Sequence, residues 1–99
     1  PNYISQHTCT APVVSLPSED EIRGKIVLIL GADPGYDWIF SHDIAGFITA
    51  YGGANSHMAI RAAEFDLPAV IGVGEKQFSQ FTRANSLRVD CRNRTVHIL

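Results

Sequence analysis

The sequence predicts an α/β fold in which a mixed sheet system is packed with short helices. Apolar runs typical of strands alternate along the chain with short segments of helical spacing, and glycine or proline separates most of them. A length of 99 residues allows one compact core. No internal repeat or low-complexity tract interrupts the order. We therefore expect a single domain over residues 1–99.

The first half of the chain contains three strand signals and one helix signal. The strand from Gly24 to Leu30 is the strongest, because five consecutive apolar residues follow Lys25. A polar, acidic turn from Pro17 to Glu21 precedes it. The other elements predicted here are short strands at 3–4 and 11–16, a loop at 31–35 and a short helix at 37–42.

The second half repeats the alternation of strand and helix. An apolar strand from Ala45 to Ala50 ends at a glycine pair. Apolar residues then recur at helical spacing until Pro68, which a helix cannot continue through. The remaining predicted elements are a strand at 69–73, a short helix at 75–81 and a hairpin of 87–90 with 95–98.

Charge and hydropathy argue against several function classes. The net charge of −2 gives no argument for binding nucleic acid or a membrane surface. No apolar run approaches the ~18 residues of a membrane span, and no signal pattern opens the chain. Trp38, Ile39 and Phe40 are interpreted as core residues, because no basic residue interleaves them. We expect a cytoplasmic domain, excised from a larger protein because the chain begins with Pro1.

The run from residue 51 to 60 delivers one histidine to the start of a predicted helix. Asn55 or Ser56 is a natural N-cap, which places His57 in the first turn. Free backbone N–H groups and the positive end of the helix dipole favour an anion there. The imidazole offers a lone pair for nucleophilic attack, and Gly52 and Gly53 can take positive φ angles. No carboxylate is expected beside it, and a plain surface cap is an equally simple interpretation of the local pattern.

The stretch from Gly52 to Gly72, GGANSHMAIRAAEFDLPAVIG, resembles the phosphohistidine signature of the mobile, swivelling domain of phosphoenolpyruvate (PEP)-utilising enzymes. Phosphoenolpyruvate synthase and pyruvate phosphate dikinase are members of this family. The resemblance extends upstream to residues 24–28 and 33–38 and downstream to 85–99. It implies a swivelling β/β/α phosphohistidine domain in which His57 is transiently phosphorylated, supported by Gly52, Gly53, Asn55 and Ser56.

The same resemblance implies partners and cofactors. A nucleotide-binding domain with ATP and Mg²⁺ would load the histidine, and a PEP/pyruvate domain or another acceptor domain would unload it. The 99 residues have no room for either, so this domain is expected to bind no cofactor of its own and to be inactive alone. The phosphoenolpyruvate synthase or dikinase type is favoured by motif similarity alone.

Three positions depart from the family pattern. Asn55 stands where the family has threonine; its amide can cap and donate but cannot be phosphorylated. Ala63 replaces an arginine, and Asp66 replaces a glycine. Arg61 lies about 200° around the helix from Ala63, so it is expected not to compensate. A non-catalytic swivelling-fold interaction module that has lost phosphotransfer is the alternative.

Two further patterns are weak. Gly72-Val73-Gly74 lies between a strand and a helix, but a dinucleotide fingerprint would need a third glycine at Gln77. Asp33, Asp37 and His42 lack the spacing of metal ligands. We assign neither a nucleotide site nor a metal site to this chain.

Overall fold

The computed structural model describes residues 1–18 and 20–99, within which seven strands and three helical segments follow the predicted order. Glu19, within the predicted turn from Pro17 to Glu21, lies outside the described residues. The elements are β1 (Asn2–Ile4), β2 (Thr8–Ser15), β3 (Ile26–Gly31), a 3₁₀ helix (Pro34–His42), β4 (Gly46–Tyr51), α1 (His57–Glu64), β5 (Ala69–Ile71), α2 (Glu75–Thr82), β6 (Ser86–Asp90) and β7 (Thr95–Ile98).

The described strands form one curled, mixed sheet in the order β1, β5, β4, β3, β2, β6, β7. The central strands β5, β4, β3 and β2 are parallel, and antiparallel strands complete the sheet on both sides. β2 pairs with β6 through residues 8–12 and with β3 through residues 13–15. The predicted α/β class with a mixed sheet and short helices is therefore confirmed.

Helical segments cover both faces of the sheet, which explains why β3 is apolar without interruption. Successive side chains of a strand point to opposite faces, so Val27 and Ile29 pack beneath the 3₁₀ helix and α1. Ile26 and Leu28 face the other way, where they pack with Phe81 of α2. These four strand residues have no exposed surface. Buried side chains thus form a core on each face of the sheet.

Four differences from the sequence-based predictions have a local physical cause, and the ends of other elements shift by one or two residues. β2 begins at Thr8 rather than residue 11, because its first half pairs with the distant β6. β5 ends at Ile71 because Gly72 takes a φ of +80°. The predicted helix at 37–42 begins at Pro34, where Asp33 Oδ1 accepts a hydrogen bond from the Gly35 N–H at 2.8 Å. The fourth difference is that the side chain of Trp38, in that helix, is exposed.

Trp38 is 47% exposed, so its predicted place in the core is wrong. Its neighbour Ile39 is fully buried, and Phe40 packs edge-on against Phe47 with ring centroids 5.6 Å apart. A 3₁₀ helix has about three residues per turn, which directs adjacent side chains to different faces.

Within the described residues, every helical segment is too short or too polar to cross a membrane.

Candidate functional site

His57 is the first residue of α1 and follows β4 by a five-residue connection. Its side chain is 42% exposed. The helix geometry leaves the N–H groups of His57 and Met58 without intrahelical acceptors, because the carbonyls they would need lie before the helix. No acidic residue occupies the first turn of α1. The structure thus places His57 where the sequence predicts it, at the positive end of a short helix.

Ser56, not Asn55, is the N-cap of α1. Its backbone is extended at φ −69° and ψ 157°, and its Oγ accepts a hydrogen bond from the Ala59 N–H at 3.3 Å. Asn55 is exposed one residue before the cap. The sequence left these two residues as alternatives, and the backbone conformation decides between them.

We expect Ser56→Ala to lower the free energy of unfolding by about 1 kcal/mol, because the Ala59 N–H loses its acceptor. Asn55→Ala is the control, since it removes the neighbouring polar side chain, which is exposed and does not cap the helix. It should change stability by no more than about 0.5 kcal/mol. Urea unfolding followed by circular dichroism measures both. Equal losses for the two variants would contradict the assignment of the cap.

The two glycines before the helix differ from each other. Gly52 has a φ of +127°, and a Cβ there would lie 2.6 Å from the Ala32 Cβ and 3.1 Å from the Ile71 Cγ2. Gly53 has no left-handed φ, and a Cβ there would meet no described atom within 4 Å. Gly52 therefore takes a positive φ angle that glycine permits, whereas Gly53 does not use that freedom. The first glycine is needed for the turn, whereas the second has open space where a side chain would be.

Thr49, predicted only as part of a strand, stabilises this turn. Its side chain is fully buried at the end of β4, where Oγ1 donates to the Tyr51 carbonyl at 2.8 Å. The same oxygen accepts from the Gly72 N–H at 3.0 Å. A Cβ on Gly72 would lie 2.5 Å from the Gly52 carbonyl oxygen. The connections that follow β4 and β5 therefore touch each other directly behind the His57 turn.

A carboxylate does lie beside His57, contrary to the sequence-based expectation. Asp37, from the 3₁₀ helix, places Oδ1 2.8 Å from His57 Nε2. The hydrogen bond from His57 and the neighbouring Arg61 guanidinium hold the pKa of the Asp37 carboxyl below its usual value. An ionised carboxylate can only accept, so this contact requires the proton of the imidazole to be on Nε2. In this arrangement Asp37 orients the ring and favours a proton on Nε2.

Arg61 completes this group: it lies away from the side of Ala63, as expected, but on the same face as His57 and in contact with Asp37. Its Nε donates to the same Asp37 Oδ1 at 3.0 Å, because His57 and Arg61 are four residues apart on one helix face. The guanidinium lies 5.5 Å from the Phe40 ring centroid and 5.0 Å from that of Phe65. These two rings stack on each other. Ala63 is exposed on another side of the helix.

A groove of about 400 Å³ opens beside the ion pair of Asp37 and Arg61. Both residues line it, together with Trp38 and Phe65, whose rings are exposed. Its polar edge thus carries one fixed anion and one fixed cation next to the imidazole. A group the size of phosphate has room to enter there.

Asp66, expected from the resemblance to replace a glycine, has a left-handed backbone conformation that glycine adopts without strain. It has a φ of +53°, a conformation that asparagine and aspartate tolerate better than most other non-glycine residues. Its Oδ2 lies 2.5 Å from His7 Nε2, which ties the end of α1 to the β1–β2 connection. The aspartate is therefore accommodated locally, beyond the end of α1 that is opposite to His57.

The residues considered for a metal site do not converge. Asp33 caps the 3₁₀ helix, Asp37 contacts His57 and Arg61, and His42 packs edge-on against the Trp38 ring at 5.5 Å. Across residues 1–18 and 20–99, no group of three histidine, cysteine or carboxylate side chains is arranged to hold a metal ion.

The fold has a counterpart among solved structures. The solution NMR structure of a protein described as UPF0107 superposes with a TM-score of 0.65, over 99% of this chain and 96% of that one. The two sequences are 12% identical. This likeness shows a shared fold and carries no information on activity.

Sequence comparison identifies the family. Phosphoenolpyruvate-protein phosphotransferases are 54% identical over 33 residues in Haloferax volcanii and 40% identical over 65 residues in Cupriavidus necator. These matches cover 33% and 64% of this chain. A rifampicin phosphotransferase of Streptomyces sviceus is 34% identical over 61 residues, or 62% of this chain. The matched regions are only 6%, 11% and 7% of those three proteins, respectively. Residues 22–94 match the family described as PEP-utilising enzyme, mobile domain, and the chain therefore belongs to that family.

Proposed function

We propose that this chain is the phosphocarrier module of a larger phosphotransferase, in which His57 accepts a phosphoryl group at one site and releases it at another. One observation carries the proposal: the half-exposed imidazole stands at the first turn of α1 within the part of the chain that matches the family. The free N–H groups of that turn and the Arg61 guanidinium supply positive charge where a phosphoryl group would attach.

The proposed chemistry consists of two balanced displacements. In the first, the lone pair of a His57 ring nitrogen forms an N–P bond while the P–O bond to the donor breaks, and the electron pair leaves with the donor oxygen. In the second, an acceptor oxygen attacks phosphorus, the N–P bond breaks and its electron pair returns to the ring. The proton of the acceptor hydroxyl passes to solvent or to a base of the acceptor site.

The supporting residues position the imidazole of His57 and allow a phosphoryl donor to reach it. Ser56 caps the start of α1, and Gly52 allows the turn that precedes α1 and His57. Gly53 leaves space for a donor or a partner surface to approach the backbone. Asn55 is exposed next to the cap, where its amide is available as a hydrogen-bond donor to a phosphoryl oxygen.

The partners belong to the rest of the parent protein. A nucleotide-binding domain holding ATP and Mg²⁺, or a domain holding PEP, would load His57, and an acceptor domain would unload it. The related proteins are named for PEP with a protein acceptor and for rifampicin, so relatives of this domain serve different acceptors. We propose a cytoplasmic location for the parent protein, where both donors, ATP and PEP, would be available.

Intact mass spectrometry of the full-length parent protein tests the proposal. The protein is incubated with ATP and Mg²⁺, and separately with PEP, and is kept at alkaline pH to preserve an acid-labile N–P bond. We expect the parent protein to gain one phosphoryl adduct with at least one of the donors. The His57→Ala variant should gain none, whereas the control variant His97→Ala, which replaces an exposed histidine, should gain the adduct. A folded parent that takes no adduct from either donor would instead favour the non-catalytic module.

A further inference from the structure

One anionic oxygen occupies the space between the nucleophile and the cation of the site. Asp37 Oδ1 lies 2.8 Å from His57 Nε2 and 3.0 Å from Arg61 Nε. A phosphoryl group bonded to Nε2 would bring its own anionic oxygens into the same space. We propose that Asp37 is a resident anion that masks Nε2 of His57, and that Arg61 is the phosphoryl-binding cation that Asp37 releases when His57 is phosphorylated. This inference rests on the phosphocarrier function proposed above.

The mask follows from the hydrogen bond itself. An ionised carboxylate has no proton to donate, so Nε2 carries the proton and has no lone pair while the contact lasts. Nucleophilic attack from Nε2 requires that Asp37 withdraw and that the ring proton be on Nδ1 instead. The negative charge of Asp37 also repels an incoming phosphoryl donor. Both effects oppose phosphorylation at Nε2.

Arg61 is already held where the phosphoryl group would need it. The stacked rings of Phe40 and Phe65 support its guanidinium, and only 32% of its side chain is exposed. Guanidinium pairs strongly with phosphate because its N–H groups match two oxygens at once. A dianionic phosphoryl group on the neighbouring residue of the helix face would therefore replace Asp37 as the partner of Arg61.

The proposal predicts opposite effects for the two partners of one ion pair. Asp37→Asn removes the competing charge and should speed phosphorylation at Nε2. Arg61→Gln removes the cation and should slow phosphorylation and lower its final extent. A merely structural ion pair would give losses of the same sign in both variants. Opposite signs therefore separate a functional mask from a structural contact.

Phosphoramidate tests this without any partner domain. The Nε2 lone pair forms an N–P bond as the P–N bond of zwitterionic phosphoramidate breaks, and ammonia leaves with the electron pair of that bond. Phosphorus and nitrogen NMR follow the rate, the extent and the ring nitrogen modified. We expect Asp37→Asn to react about threefold faster, and Arg61→Gln about tenfold slower with Arg61→Lys between it and the parent.

Two matched variants control for charge alone. Asp43→Asn removes a carboxylate from the end of the same 3₁₀ helix, and Arg88→Gln removes an exposed guanidinium on β6. Both should react like the parent chain, and circular dichroism confirms that each variant is folded. Losses of the same sign in Asp37→Asn and Arg61→Gln would overturn the proposal. So would an adduct on Nδ1, or no His57 adduct even in Asp37→Asn.

The outcomes also separate this inference from the carrier function. If ATP or PEP loads His57 in the parent protein while the two variants show losses of the same sign, the carrier function stands and the masking by Asp37 is wrong. If the variants show opposite signs with phosphoramidate while neither donor loads the parent, the anion site is supported and the carrier function fails.

Discussion

Replacing His57 with asparagine should stop both half-reactions of the parent protein. A carrier takes part in the loading step and in the unloading step, so its loss removes both, whereas a residue of one partner site would affect only one. We expect the exchange of labelled phosphate between each substrate and its product to fall at least about a thousandfold in each half-reaction. Isotope exchange measured separately with each substrate pair checks this.

The same substitution should leave the fold intact. His57 is half-exposed at the helix start, and its contact with Asp37 is a surface contact of small value. The free energy of unfolding should change by no more than about 1 kcal/mol. His97→Asn is the control for loss of an imidazole on an exposed strand position. Retention of exchange in either half-reaction by His57→Asn would contradict a carrier that serves both steps.

The elements around His57 could be predicted because their signals are local. Apolar β-branched residues mark β4, the glycine pair ends it, and Pro68 limits the length of α1. The choice between Asn55 and Ser56 as cap needed the backbone angles, since both residue types suit that position equally. The local pattern placed His57 at a helix start, and the family resemblance favoured a phosphocarrier over a plain surface cap.

The contact between Asp37 and His57 could not be predicted from local signals because it depends on strand pairing. β3 and β4 are parallel neighbours, with Gly31 opposite Tyr51 at their ends. The segments that follow the two strands therefore start from the same edge of the sheet, and this brings Asp37 to the histidine. The position of Arg61, in contrast, could be predicted, because its four-residue spacing from His57 places both residues on one helix face.

Gly72→Ala should be the most destabilising single-methyl substitution near the site. Its φ of +80° disfavours any side chain, and the added Cβ would lie 2.5 Å from the Gly52 carbonyl oxygen, a backbone atom that cannot rotate away. Left-handed strain and overpacking together should lower the free energy of unfolding by about 2 to 5 kcal/mol. For a chain of this size, the midpoint of thermal unfolding should fall by about 10 °C or more.

Gly53→Ala is the matched control for that substitution, because its Cβ would meet no described atom within 4 Å and its φ is not left-handed. Its stability should change by no more than about 0.5 kcal/mol. If Gly53 serves the approach of a donor, as proposed, this variant should still load phosphate more slowly than the parent while unfolding at the same temperature. A large loss of stability in Gly53→Ala, or none in Gly72→Ala, would contradict the division of roles between these glycines. Differential scanning calorimetry with phosphoryl loading of the same samples distinguishes the glycine that holds the turn from the glycine that keeps it accessible.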